Sequence, residues 1–407
     1  MFTLPLLALA VGATPAGVAA VTSALTMAWL VFGLHAGWLV DRLPRRALLV
    51  TVNTARAGVL LTLAGLHAND AIGPPIVIVA AGVLGVTETL ADTALTSTVP
   101  LVVRADARTR ANSRIEATVN VTNQLAGPPL AGLLIGIGMT LAVATGSVLY
   151  ALSVAAVAAV VVRPDATPSA SIAAPTGVSV GLRHLWGQPV LRALTLFTAA
   201  MNVVWAAWTA LFVIYAVRPG PLDLTPAQYG FLLTAMAIGG LVASTTADAL
   251  SRRFGAGRLL VADAAGTVLL VAPAAVGAPL WAVAAGAVVA GSGASIWRIL
   301  VATIRQDLTP PDLLGRTYSA SRVVSWGVLP VAAALAGVAA ELWGVPAVLG
   351  ISTVFAVGVL IAFVAFTARQ GPQQAAPSGR SRFDGVPGGD ATPVTPRSAC
   401  RADRGRS

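Results

Sequence analysis

The sequence predicts an all-α membrane protein of about twelve spanning helices in two six-helix halves, with the first helix truncated. Three observations predict it. The 407 residues are 56% hydrophobic and only 10% charged, where a soluble domain carries roughly 25% charge. The basic charge is all arginine, with no lysine, and it falls in every second loop. A short pattern, D-x-L-x-R-R, recurs at the same place in each half, at Asp41–Arg46 and Asp248–Arg253. Such a recurrence points to two homologous halves related by an axis along the membrane normal.

The sided arginines set the topology. One face receives Arg42, Arg45, Arg46, Arg104, Arg108, Arg110, Arg114, Arg163, Arg183, Arg252, Arg253, Arg258 and Arg316, and then the arginines of the tail. The opposite loops hold only Arg218. This is the positive-inside pattern, and it predicts a multi-pass protein of the cell membrane with both termini cytoplasmic.

Taken in order, the segment 1–13, MFTLPLLALAVGA, is apolar but too short to span. It lacks the basic start of a signal peptide and is read as the end of a first helix. Spans follow near 17–40, 47–67, 73–97, 113–136 and 138–162. A second set lies near 190–216, 226–250, 258–276, 278–304, 314–339 and 344–368. The N-terminal half is therefore 1–162 and the C-terminal half 190–368. Between them, 163–189 is a cytoplasmic linker, Pro- and Ala-rich at first. It runs into VSVGLRHLWGQPVLRAL, which is either an amphipathic surface helix or a plain loop entering the next span. The tail, 369–407, has too little apolar content to fold and is expected to be disordered.

Composition also excludes. The net charge of +10 is spread over short loops rather than gathered on one face, which argues for anionic lipid and against nucleic acid. The one cysteine, Cys400, permits neither an intrachain disulfide nor a cysteine metal cluster. Without lysine there is no P-loop and no Schiff-base chemistry. No metal-ligand spacing, cofactor motif or catalytic set is present, so an enzyme is not expected.

The loop GWLVDRLPRR, Gly37 to Arg46, resembles the loop motif of the major facilitator superfamily. NQLAGPPLAG, Asn123 to Gly132, resembles the Gly-Pro motif of that superfamily's antiporters, with Asn123 where another Gly is usual. IRQDLTPPDLLGR, GVTETLADTAL and ANSRIEATVNVTNQLAGPP complete a likeness to the drug:proton antiporter group that includes enterobactin-type exporters. The likeness covers about residues 1–368. It implies a conformational gate at Gly37, Asp41, Arg42, Arg45 and Arg46, repeated at Asp248, Arg252 and Arg253. It implies that Asp41 meets the start of the eleventh helix when the cytoplasmic side closes. It also implies that the first, fourth, seventh and tenth helices line a central cavity. On the fifth helix, Gly127, Pro128, Pro129 and Gly132 interrupt hydrogen bonding and let helices approach closely.

Charges inside a bilayer are functional candidates by default. Glu88 and Asp92 are four residues apart on the fourth helix, so they share a face. Desolvation and mutual repulsion favour a proton on one of them, with Asp92 the preferred carrier. Arg56 lies at similar depth and either serves the coupling or neutralises Glu88 structurally. Arg298 on the tenth helix is read as a partner of Asp92 in one conformation, as a ligand for anionic cargo, or as a snorkelling side chain. Asn123, Gln124, Asn202, Trp205 and Trp297 are cavity candidates whose alternative is ordinary helix packing.

The function expected is proton-coupled efflux of a small amphipathic organic molecule, an antibiotic or siderophore, by alternating access. The alternatives are a proton-coupled importer and a non-transporting paralogue. The partners expected are cargo, protons and the bilayer, with the monomer as the functional unit and no cofactor.

Overall fold

A computed structural model of the chain describes residues 2–102, 118, 121–159, 176–310 and 313–370. Within them, the side chains at 33–38, 40–42, 45, 96–102, 176–179, 314–316, 319 and 370 are not described. In the first half, α1 is Thr3–Ala10, α2 Pro15–Arg42, α3 Arg45–Ala68 and α4 Pro74–Val102. A π-helical turn, Val121–Ala126, leads into α5, Gly127–Ile137, followed by α6, Met139–Ala159. The end of the linker is a helix rather than a loop, α7, Thr176–Gly187, and it packs on α12. In the second half, α8 is Pro189–Ala216, α9 Pro226–Phe254, α10 Ala256–Ala275 and α11 Leu280–Leu308. Then come α12, Leu314–Trp326, α13, Val328–Trp343, and α14, Val345–Gln370.

Among the described residues, ten stretches are long and apolar enough to cross a membrane, with α12 and α13 serving as one. The predicted spans missing from that set are the first, which has only the 8 residues of α1, and the fifth. The early part of the fifth span lies outside the described residues. The eleventh span, predicted as one helix over 314–339, breaks at Gly327. Pro330 lacks the N–H that would continue the ladder there. The Ser23 hydroxyl of α2 donates to the Pro330 carbonyl at 2.8 Å.

Both halves start their second helix the same way. Thr14 caps α2, its hydroxyl accepting from the Gly17 N–H at 3.2 Å. Thr225 caps α9, accepting from the Gln228 N–H at 3.2 Å within a capping box. Proline follows each cap, at Pro15 and Pro226, where its missing N–H costs nothing.

These two starts are where the halves meet. Leu130-Ala131-Gly132 on α5 lies against Pro226 and Ala227 of α9, and a Cβ on Gly132 would overlap the Pro226 carbonyl. Leu335-Ala336-Gly337 on α13 lies against Pro15, Ala16 and Ala19 of α2, where a Cβ on Gly337 would overlap Ala19. The same tripeptide thus docks on the same helix start twice, once in each direction between the halves. Gly230 on α9 completes the first seam, its Cα facing the Pro128 carbonyl and Pro129. Both seams lie at the helix ends remote from the arginine-rich loops.

The Gly-Pro-Pro sequence supplies the irregularity that the first seam uses. Pro128 and Pro129 bring no N–H, so carbonyls in the preceding turn lose their helical donors. The chain there is π-helical, Val121–Ala126. Thr234 of α9 reaches across and donates to the freed Leu125 carbonyl at 3.1 Å. In hydrocarbon such a carbonyl needs a protein donor, because no water is there to serve.

The first copy of the D-x-L-x-R-R loop ends α2 and opens α3. The side chains of Asp41, Arg42 and Arg45, and residue Gly37, lie outside the described side chains. Arg46 donates to the Ala158 carbonyl, tying α3 to α6. In the second copy Arg252 pairs with Asp248 one turn back, both exposed.

Replacing Gly132 with Val should overpack the α5–α9 seam at a cost of about 1–3 kcal/mol. Gly136→Val on the same helix meets nothing within 4 Å and should leave stability unchanged. Melting temperatures in detergent compare the two.

Candidate functional site

A cavity of about 690 Å³ opens between the halves. Its walls come from Phe2 and α1 (Pro5), α2 (Thr22, Leu25, Thr26, Trp29, Leu30), α4 (Glu88), α8 (Thr209, Val213) and α9 (Tyr229, Leu233). On the remaining side stand Tyr318, Arg322, Val323 and Trp326 of α12, with Gly327 and Leu329. The lining is largely aromatic and apolar, and two of its threonine hydroxyls are spent on their own helices. Thr26 donates to the Thr22 carbonyl at 2.9 Å and Thr209 to the Trp205 carbonyl at 2.7 Å. Phe2, just before α1, stacks on Tyr229 of α9, ring centroids 5.5 Å apart.

Among the described residues, two charged side chains reach the wall. Glu88 accepts from Arg56 Nη2 at 2.5 Å. The pair is asymmetric: the Arg56 side chain is 7% exposed and that of Glu88 is 40% exposed. Arg56 has further partners. Its Nε donates to Thr87 Oγ1 at 3.2 Å, its Nη1 to Asn53 Oδ1 at 3.4 Å, and its guanidinium lies 5.1 Å from the Tyr150 ring centroid. Arg56 is therefore held with or without Glu88, while Glu88 keeps one side toward the cavity. Asp92, one turn on, is exposed and off the cavity wall.

The second charge is Arg322. Its guanidinium lies over two indoles, 4.4 Å from the Trp29 centroid and 5.0 Å from that of Trp326. Sequence spacing held a signal for it. Tyr318, Arg322 and Trp326 stand four residues apart, one helical face of polar aromatics around a cation.

Of the cavity candidates named from sequence, none lines this cavity. Asn202 donates to the Ser325 carbonyl at 2.7 Å, joining α8 to α12. Trp297 is buried among Phe363 and its neighbours and donates to Thr198 Oγ1 at 3.0 Å. Trp205 packs edge-on against Trp208, centroids 6.0 Å apart. Asn123 and Gln124 are exposed on the π-helical turn. Arg298 is exposed, with Ser295 Oγ at 3.5 Å on its own helix, and the bond to Asp92 is not made in this conformation. In each case helical register turns the side chain toward a neighbouring helix or outward.

Asp263 is the charge the spacing rules passed over. It is 2% exposed on α10, and its Oδ2 has no hydrogen-bond partner among the described residues. Gly293 of α11 leaves the space it fills, since a Cβ there would lie 3.0 Å from the Asp263 Cα. A lone carboxylate in an apolar run is itself the signal. It has no second charge within a turn to form a recognisable pair.

Helices in two halves, seams at one end and a cavity between define a multi-pass membrane transporter. The sequence profile of the Major Facilitator Superfamily matches residues 1–220, and the chain belongs to this superfamily of secondary transporters. Solved structures share the fold. A substituted form of the nucleoside transporter NupG superposes with a TM-score of 0.73 at 14% identity, over 90% of this chain and 94% of that one. NupG itself gives 0.68 at 14% identity, over 90% and 96%. A bacterial homologue of the iron transporter ferroportin, in its inward-facing state, gives 0.65 at 15% identity, over 90% and 94%. No curated protein sequence matches the chain.

Removing one partner of the Arg56–Glu88 pair should cost more than removing both. Arg56→Met should destabilise by about 3 kcal/mol, the low end for buried pairs because Glu88 is half in the cavity. Adding Glu88→Gln should recover part of that loss. A double-mutant cycle on melting temperature measures the coupling.

Proposed function

We propose that the chain is a proton-coupled exporter of small amphipathic organic molecules, working by alternating access around the cavity between its halves. The observation that carries this reading is the cavity wall. Aromatic and aliphatic side chains suit the apolar body of a cargo, and Glu88 is the one carboxylate on the wall among the described residues. The drug:proton antiporter likeness of Asn123–Gly132 supplies the direction. The arginine-rich loops would face the cytoplasm, so the seams would seal the outer side.

Coupling follows from the Glu88 geometry. A proton on Glu88 would cancel the charge that holds Arg56, while Arg56 keeps Asn53, Thr87 and Tyr150. The exchange therefore changes the cavity wall without leaving a bare guanidinium in the bilayer. Asp92, next on the same helix, would pass the proton toward the arginine-rich side. Asp263 is a third carboxylate for the same test. Gly37, Asp41, Arg42, Arg45 and Arg46, with Asp248, Arg252 and Arg253, would serve as the gate that closes once the seams open.

Energised everted vesicles containing the protein should lose their pH gradient when a transported compound is added. Glu88→Gln and Asp92→Asn should each abolish that response and spare downhill exchange. A full response in either variant removes that carboxylate from the mechanism. Compound accumulation in intact cells rather than in everted vesicles would reverse the direction to uptake.

A further inference from the structure

The charge balance of the cavity points beyond a generic amphipathic cargo. Glu88 is matched by Arg56 at 2.5 Å. The unmatched charge on the wall is Arg322, which has no ion pair and no hydrogen bond among the described residues. Its contacts are the two indole faces, Trp29 on one helix and Trp326 on its own. Indole faces hold a guanidinium by its plane. They take no N–H donor of the group in a hydrogen bond, so its five donors are unspent among the described residues. A cation held over two indole faces, with its donors unspent on the wall of an apolar cavity, is suited to accept two oxygens of one anion side by side.

Resting on the transport reading above, we infer that the cargo is an aromatic or otherwise apolar organic anion, a carboxylate, sulfonate or phosphate ester. Its oxygens sit on the edge of Arg322 and its body lies along Phe2, Tyr229 and Tyr318. Cations are disfavoured at this site by the guanidinium, and Glu88 offers them no free charge while Arg56 is bound to it. Neutral molecules of the same shape gain the apolar contact only.

The test uses the full chain in liposomes and three radiolabelled probes of one shape: naphthoate, naphthamide and naphthylmethylammonium. Wild type should bind naphthoate about tenfold or more tightly than either other probe. Arg322→Gln should remove that preference while leaving naphthamide binding in place, and Arg322→Lys should restore only part of it. Trp326→Leu, which keeps the charge and removes one indole face, should weaken naphthoate selectively, and it keeps the test open should Arg322→Gln misfold. Equal binding of the three probes, preference for the ammonium, an anion preference that survives Arg322→Gln, or no binding by folded wild type overturns the inference. The transport reading fails separately, where naphthoate binds with this selectivity but neither it nor any other bound compound moves protons in vesicles. Proton movement driven only by cations or neutral compounds keeps transport and sinks the anion assignment.

Discussion

In hydrocarbon a helix gains little by burying leucine against leucine, because the lipid tails are as apolar as the side chains. Two halves of a membrane protein therefore need backbone proximity and hydrogen bonds to adhere. Here the proximity comes from one device used twice. A Leu-Ala-Gly tripeptide sits on a Thr-Pro-Ala helix start, at Gly132 on Pro226–Ala227 and at Gly337 on Pro15–Ala16. Glycine removes the one atom that would hold the backbones apart. The capped, proline-led helix start presents a rigid surface with few free donors. The cavity opens beside these seams, which join the halves most closely at one end.

The same physics governs the irregular backbone. Pro128 and Pro129 free carbonyls on the first half, and Thr234 of the second half answers one of them. Pro330 breaks the eleventh span, and its own carbonyl takes the Ser23 hydroxyl of the first half. Each break is thus paired with a donor from across the interface. Separating the halves would expose these groups, so the breaks and the seams are coupled. Net hydrogen bonds of about 1 kcal/mol each are small enough for such an interface to open and close.

Charge is handled differently at each of three places. Arg56 is surrounded by several partners, so it tolerates a change at Glu88. Arg322 is held by aromatic faces, which neutralise nothing and leave its donors open. Asp263 is enclosed against Gly293 with an oxygen unpartnered. A bilayer makes every one of these costly, and the differing solutions separate a held group, a receptive group and an isolated one.

Much of this was legible in the residues alone. Hydropathy and sided arginines determine the spans, because water and lipid sort side chains before any tertiary contact forms. The Gly-Pro-Pro run announces a broken helix, and the motif at Gly37–Arg46 marks the superfamily. The spacing of Arg56 and Glu88 along antiparallel helices predicted equal depth, and the two meet. Rotation about the helix axes was not legible. It turned Asn202, Trp205, Trp297 and Arg298 away from the cavity and brought Trp29 of α2 over Arg322 of α12, nearly three hundred residues apart in the chain. One-dimensional spacing fixes depth and sidedness, which the bilayer imposes on each helix separately. Which face of each helix looks inward is decided only when small residues choose the neighbour that can come closest.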